Sequence, residues 1–249
     1  MLNAEIAPAC SGFDTGLGAQ RLVGSHVEVS RIRSCVDSPM TLSESSVAGR
    51  SRWDDRAVSD ARVLAAEAVE SHVRAFFEGH SVEVVDYDLR PGRREVVPDL
   101  RVLVVGPGPR SDSWAYVTAG CWAAMEKDGH GLEFVMTAHV RDQRFIELMA
   151  MIAYYHCGGH QLDLERSMPI GEPWVPGSNC DHLLISLPYL HGPELEHCPV
   201  PGGHARILWT LPVTTAEIEF RRRHGHEELE QLFDKAETIP TDPFRASVA

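Results

Sequence analysis

The densest group of side chains able to do chemistry is His156-Cys157-Gly158-Gly159-His160. Imidazole and thiolate are zinc ligands, and Cys180, His182, His197 and Cys198 are further donors of the same kind. One reading is therefore a metal-dependent enzyme using His156, Cys157 and His160 with one of His182, His197 or Cys198. The spacing matches no zinc template, however, and paired glycines after an apolar periodic run serve to stop a helix. Histidine at a helix C-terminus is also favoured by the helix dipole. The reading adopted is no metal and no cofactor, with His156, Cys157 and His160 as the metal candidates to inspect.

Other groups carry less chemistry. Gly106–Ser111 (GPGPRS) lacks the GxxxxGK[ST] pattern, and its prolines remove the amide donors a phosphate needs. No GxSxG nucleophile elbow occurs. His224 and His226 are two apart and would diverge on a continuous helix, so His224-Gly225-His226-Glu227 reads as a solvated helix break. Glu227, Glu228 and Glu230 read as an exposed helix face, and no nucleophile–base–orienter set stands out. The expectation is a non-enzyme with no catalytic residues.

Charge narrows the partners. The 249 residues carry a formal charge of −13, which repels nucleic-acid phosphates and anionic membrane surfaces. No apolar run approaches the ~18 residues of a membrane helix, and MLNAEIAPACSGFD lacks the layout of a secretory signal. Six scattered cysteines without a CxxC pair read as reduced thiols, so the expected location is cytoplasmic.

These residues need elements to hold them. Residues 1–55 have no sustained apolar period and read as a disordered leader, with Met40 an alternative start. From Val58 a helical period sets in, with Val63, Leu64, Ala68, Val73 and Phe76 or Phe77 near one face. SVEVVDYDL reads as a strand, followed by a turn at Arg90-Pro91-Gly92-Arg93 and a strand in RVLVV. WAYVTA and LEFVMTAH read as a hairpin around Lys127-Asp128-Gly129. In RDQRFIELMAMIAYYH, the residues Phe145, Leu148, Met149, Ile152 and Tyr155 share a helix face. Strands LLISLPY and ARILWTLPV follow. A helix then starts at Thr214 with Glu217 at the capping-box spacing, breaks near Gly225 and resumes through Ala236. Helices that open and close a run of strands, without regular alternation, favour an α+β domain over 56–237. Residues 238–249 read as a flexible tail.

LLISLPYLHGPELEH (183–197) and ARILWTLPVTTAEIEFRRRHGHEELEQLF (205–233) resemble the Suppressor of fused family, in particular its short bacterial members. WAYVTAGCW, LEFVMTAH and the helix ending AYYH fall in the same order as in that family. The resemblance implies a mixed, mostly antiparallel sheet flanked by helices, acting as a non-enzymatic protein-binding module. In animals the family restrains a transcription factor by gripping a short extended peptide. Similar bacterial domains are thought to be immunity proteins that neutralise toxins, and an acidic surface suits a basic toxin. The alternative is a regulatory module binding a transcription factor. By motif order the tyrosine of the family's peptide groove falls on Tyr155, and its acidic residue falls near Glu165. Trp122, Tyr155 and Trp174 would serve as aromatic anchors if exposed, although core or half-buried packing is the stronger expectation for each.

Overall fold

Runs that are apolar at nearly every position become strands buried on both faces, because helices cover both sides of the sheet they form. The computed structural model describes residues 52–87 and 95–249. Helix α1 (Arg52–Phe76) leads into β1 (Val82–Asp86), β2 (Arg101–Val105) and β3 (Trp114–Ala119). A short α2 (Cys121–Met125) precedes β4 (His130–Ala138), α3 (Gln143–Tyr155), a π-turn at His156–His160 and β5 (Ser167–Pro169). Then come β6 (Cys180–Ser186), α4 (Pro193–Glu196), β7 (His197–Val200), β8 (Gly203–Thr214), α5 (Thr215–His224) and α6 (His226–Lys235). The sheet order is β1-β2-β3-β4-β8-β6-β5, with β7 on the first residues of β8. Among the described residues only β4 and β8 pair in parallel. The expected mixed, mostly antiparallel α+β architecture is the one observed.

Alternation along each strand splits the core in two. Val104, Tyr116, Phe134, Met136, Leu183 and Leu208 meet α3 through Phe145, Leu148, Met149 and Ile152. On the opposite face Leu103, Val117, Val135, Ile207 and Trp209 share a cluster with Ala65, Val69, Val73 and Phe76 of α1. The α1 face differs from the expected one in that Leu64 is exposed and Ala65 and Ala66 point inward. The helix also starts at Arg52, so the last residues assigned to the leader belong to it. The rest of the leader, Met40 and the turn at 90–93 lie outside the described residues.

Helix α2 sits where a plain hairpin loop is expected. Its anchor is Glu133, fully buried on β4, which accepts hydrogen bonds from Thr118 Oγ1 (2.6 Å), Gly120 N (2.8 Å) and Trp122 N (3.0 Å). Burial raises this carboxyl's pKa, and those hydrogen bonds oppose part of the rise. Gly120 has φ 130°, and a Cβ there would lie 3.1 Å from the Asp99 carbonyl oxygen, so the turn requires glycine.

Residues 238–249 do not form the loose tail expected from their composition. Arg245 is 7% exposed and grips Glu217 with two hydrogen bonds, Nη1 to Oε1 (2.6 Å) and Nη2 to Oε2 (2.7 Å). Glu217 also completes the capping box, accepting from Thr214 N (2.8 Å), and accepts from Val248 N (3.1 Å). Burial works against the charge on Arg245, but the bonds and charge of Glu217 outweigh it and raise the guanidinium pKa. Arg245 Nη2 further donates to the Pro212 carbonyl (3.0 Å). Strand β8 runs past its last partner on β4 at Trp209, and Pro212 has no N–H to offer a neighbour. The terminal segment thus straps this stretch of β8, covering backbone that would otherwise stay open.

Breaking a buried pair leaves one charge uncompensated, at a cost of about 3–5 kcal/mol. Arg245→Ala is therefore expected to lower unfolding free energy by about that amount in urea titrations. Arg74→Ala, which loses an exposed i,i+4 pair with Glu70, should cost less than about 0.5 kcal/mol.

Two buried histidines set an acid limit. His156 packs edge-on against Phe134 (5.2 Å) and His191 against Phe77 (5.4 Å), and burial pushes both imidazoles to about 4 from the ordinary 6.5. A folded pKa below the unfolded one means the neutral form is favoured by folding. That contribution is complete above pH 6.5 and is lost as pH falls toward about 4. Each histidine should cost up to ~1.4 kcal/mol per pH unit in this window. Urea midpoints measured across the window should fall for the wild type and flatten for His156→Gln/His191→Gln.

Candidate functional site

A single connection, from the end of α3 into β5, carries both residues expected to line the groove. Helix α3 is set by Asp142, whose side chain accepts from Arg144 N (2.9 Å), and by the inward apolar face that ends at half-buried Tyr155. The backbone then widens into the π-turn, and Gly159 at φ 104° releases it from helical geometry. Gln161 (φ 41°) and Glu165 (φ 64°) also adopt left-handed conformations, which residues with a Cβ rarely take. Such strain persists only where neighbours impose it. At Glu165 they do: its N–H donates to the Ile185 carbonyl (2.9 Å), and its own carbonyl accepts from the Arg221 guanidinium. Glu165 is consequently held by its backbone while the residue stays exposed.

Tyr155 lies flat against the exposed His160, with ring centroids 4.0 Å apart and an interplanar angle of 8°. Beyond them a shallow groove of about 460 Å³ runs between Leu132 of β4 and the segment carrying Gln161, Asp163 and Leu164. The segment ends at β5, which has a neighbour on one side only and so forms a sheet edge. Pro169 and the three-residue length limit how much backbone this edge offers.

Other expected residues sit elsewhere. Trp174 is 1% exposed and leans on Phe145 at 5.7 Å, inside the α3-side core. Trp122 is 7% exposed on the α1 side and donates from Nε1 to the His204 carbonyl (3.0 Å). Neither is an exposed anchor; both fill the core, where large aromatic rings contribute most.

The His/Cys cluster disperses. His156 faces Phe134 in the core, Cys157 Sγ approaches the Cys121 carbonyl (3.9 Å), and His160 stacks on Tyr155 outside. His182 is paired with Asp181 (2.9 Å), and burial pushes the Cys198 thiol up to about 12. Among the described residues no three histidine, cysteine or acidic side chains converge as a metal site would need. No helix among them is long and apolar enough to cross a membrane.

Sequence reasoning missed one feature beside Glu165. Arg166, Arg221 and Arg222 line a polar recess of about 460 Å³ with Ser167. Burial, and the neighbouring charges of Arg222 and Arg166, push the Arg221 guanidinium below its ordinary pKa, while Glu165 opposes that shift. The only sequence signal was the run Arg221-Arg222-Arg223, which reads equally well as a solvated helix face.

Comparison with known proteins agrees with this layout. A family model described as Suppressor of fused protein matches residues 97–246, a span that includes Arg245. The structure of a Suppressor of fused homologue from Neisseria gonorrhoeae is 34% identical. It covers 74% of this chain and 97% of its own, at TM-score 0.64. The Sufu–Fu complex contains a chain 15% identical, covering 74% of this chain and 92% of that one, at TM-score 0.55. Drosophila Suppressor of Fused aligns over 74% of this chain and 51% of its own, with 12% identity and TM-score 0.49. No curated protein matches. With 34% identity across nearly all of a solved relative and a family match over more than half its residues, the chain belongs to the Suppressor of fused family.

Proposed function

We propose that this domain is a non-enzymatic binding module that holds an extended segment of a protein partner along the rim formed by Tyr155, Glu165 and the β5 edge. The observation that carries the reading is the connection from α3 to β5. It stacks Tyr155 on His160 and immobilises Glu165 through its backbone, and it delivers the chain to a strand that ends the sheet order among the described residues. An edge strand offers backbone hydrogen bonds to an added strand, while flanking side chains supply selectivity. One structure of the same fold was solved as the Sufu–Fu complex, which supports a protein partner here.

The partner we favour is a basic toxin, neutralised in the cytoplasm by occlusion. A formal charge of −13 speeds encounter with a cationic protein and disfavours acidic competitors. The test is to identify any cationic protein that the neighbouring genes encode and to titrate it calorimetrically. The wild type should bind with an affinity that weakens as salt rises, and Tyr155→Ala/Glu165→Arg should reduce binding by about tenfold or more. Absence of a complex, or equal binding by the variant, would contradict the reading.

A further inference from the structure

The α1 side of the sheet is covered unevenly. Helix α1 reaches β3 and β7, while α5 packs on β6 and β8 and α6 packs on α5. Beside α6 lies a cleft of about 510 Å³, floored by Leu184, Trp209 and Leu211. Phe233 of α6 forms one wall, and Pro240 and Arg245 of the terminal strap form another. Its volume falls within the range of ligand pockets, ~300–1,000 Å³.

Three observations describe what this cleft would take. The first is apolar surface at its mouth: Tyr189 is 60% exposed and Leu190 51%, both on the loop after β6. The second is a set of buried nitrogens without a hydrogen-bond partner in the protein: Trp209 Nε1, His226 Nδ1 and Arg245 Nε, all on residues of this cleft. Buried polar groups are almost always paired, and the Trp209 indole can only donate, so it calls for an acceptor. The third is charge. Glu230, Asp234 and Glu237 line the cleft, whereas Arg245 is already neutralised by Glu217. The apolar walls and the acidic lip together describe a segment with a large apolar side chain and flanking cations, beside a Trp209 indole that has no partner in the protein.

We propose that this cleft is a second partner site, binding a short basic-apolar polypeptide segment. It would insert one apolar side chain over Leu184 and Leu211, against the Trp209 ring, and set lysine or arginine against Asp234 and Glu237. This extends the binding-module reading and rests on it. The site lies on the opposite sheet face from Tyr155, since Leu184 and Trp209 belong to the α1-side cluster and Tyr155 packs on the α3-side one.

The test uses the full chain labelled with ¹⁵N and a capped peptide of two leucines flanked by arginines, with a glutamate-flanked twin as control. The arginine peptide should shift the Trp209 indole resonance, and the twin should not. Asp234 and Glu237 are exposed, so Asp234→Lys/Glu237→Lys should leave the fold intact and weaken the peptide by about tenfold. Leu190→Glu is a second variant expected to weaken it. An unmoved indole, equal binding of both peptides, or unchanged affinity in the charge reversal overturns the proposal. A neutral alkyl glycoside that shifts the indole as strongly as the peptide, with the charge reversal silent, would assign the cleft to lipid tails instead. Shifts confined to Ser167 and Met168 would leave the β5 rim standing and remove the cleft, whereas no shift at either place would count against both.

Discussion

The structure depends most on one buried ion pair. Glu217 and Arg245 would each be expensive to bury alone, and their attraction offsets that cost only because the remaining hydrogen-bonding capacity of the carboxylate is filled. The two terminal Arg245 nitrogens, the Thr214 amide and the Val248 amide point at it. Through this carboxylate the α5 cap, the outer stretch of β8 and the last residues of the chain become one unit. Specificity follows from geometry as much as from energy. A bidentate guanidinium fixes the direction as well as the position of the strap, and the strap in turn is one wall of the α6 cleft.

A sheet covered on both faces leaves few places for a partner to enter, and each lies where a helix ends or is missing. On the α3 side the opening comes where α3 unwinds through the π-turn and the chain reaches the sheet edge. On the α1 side it comes where α6 and the terminal strap stand apart over Trp209 and Leu211. Electrostatics distinguish the two. Arg166, Arg221 and Arg222 gather beside the rim, while Glu230, Asp234 and Glu237 edge the cleft. A chain of net charge −13 thus presents locally opposite signs, which allows the two openings to select different parts of a partner.

Much of this was legible in the residues. Strands RVLVV and ARILWTLPV were readable because burial on both faces demands apolar side chains at every position, and α3 because its inward stripe repeats at helical spacing. The Thr214–Glu217 capping box was readable because its two partners lie three positions apart. What was hidden rests on long-range pairing. Helix α2 exists because Glu133, eleven residues past Trp122 and on another element, accepts its amides. Strands β5 and β7 are only three and four residues long and take their order from β6 and β8. The strap looked polar and loose because a single arginine, meeting a carboxylate 28 residues away, holds it. Trp122 and Trp174 carried no local mark of burial, and His156, Cys157 and His160 share sequence without sharing a direction. Tyr155 and Glu165 could be located by resemblance, but the arginine recess beside them needed β5 and α5 to be brought together.

The central claim is that the terminal strap is a fixed part of the body, held by the Glu217 carboxylate. Residue-resolved amide hydrogen exchange at Val248 in the wild-type protein reads this most directly, because that N–H has Glu217 as its partner. The account predicts exchange at least ~100-fold slower than in a free chain. Exchange at the free-chain rate, with the β8 amides still protected, would contradict it.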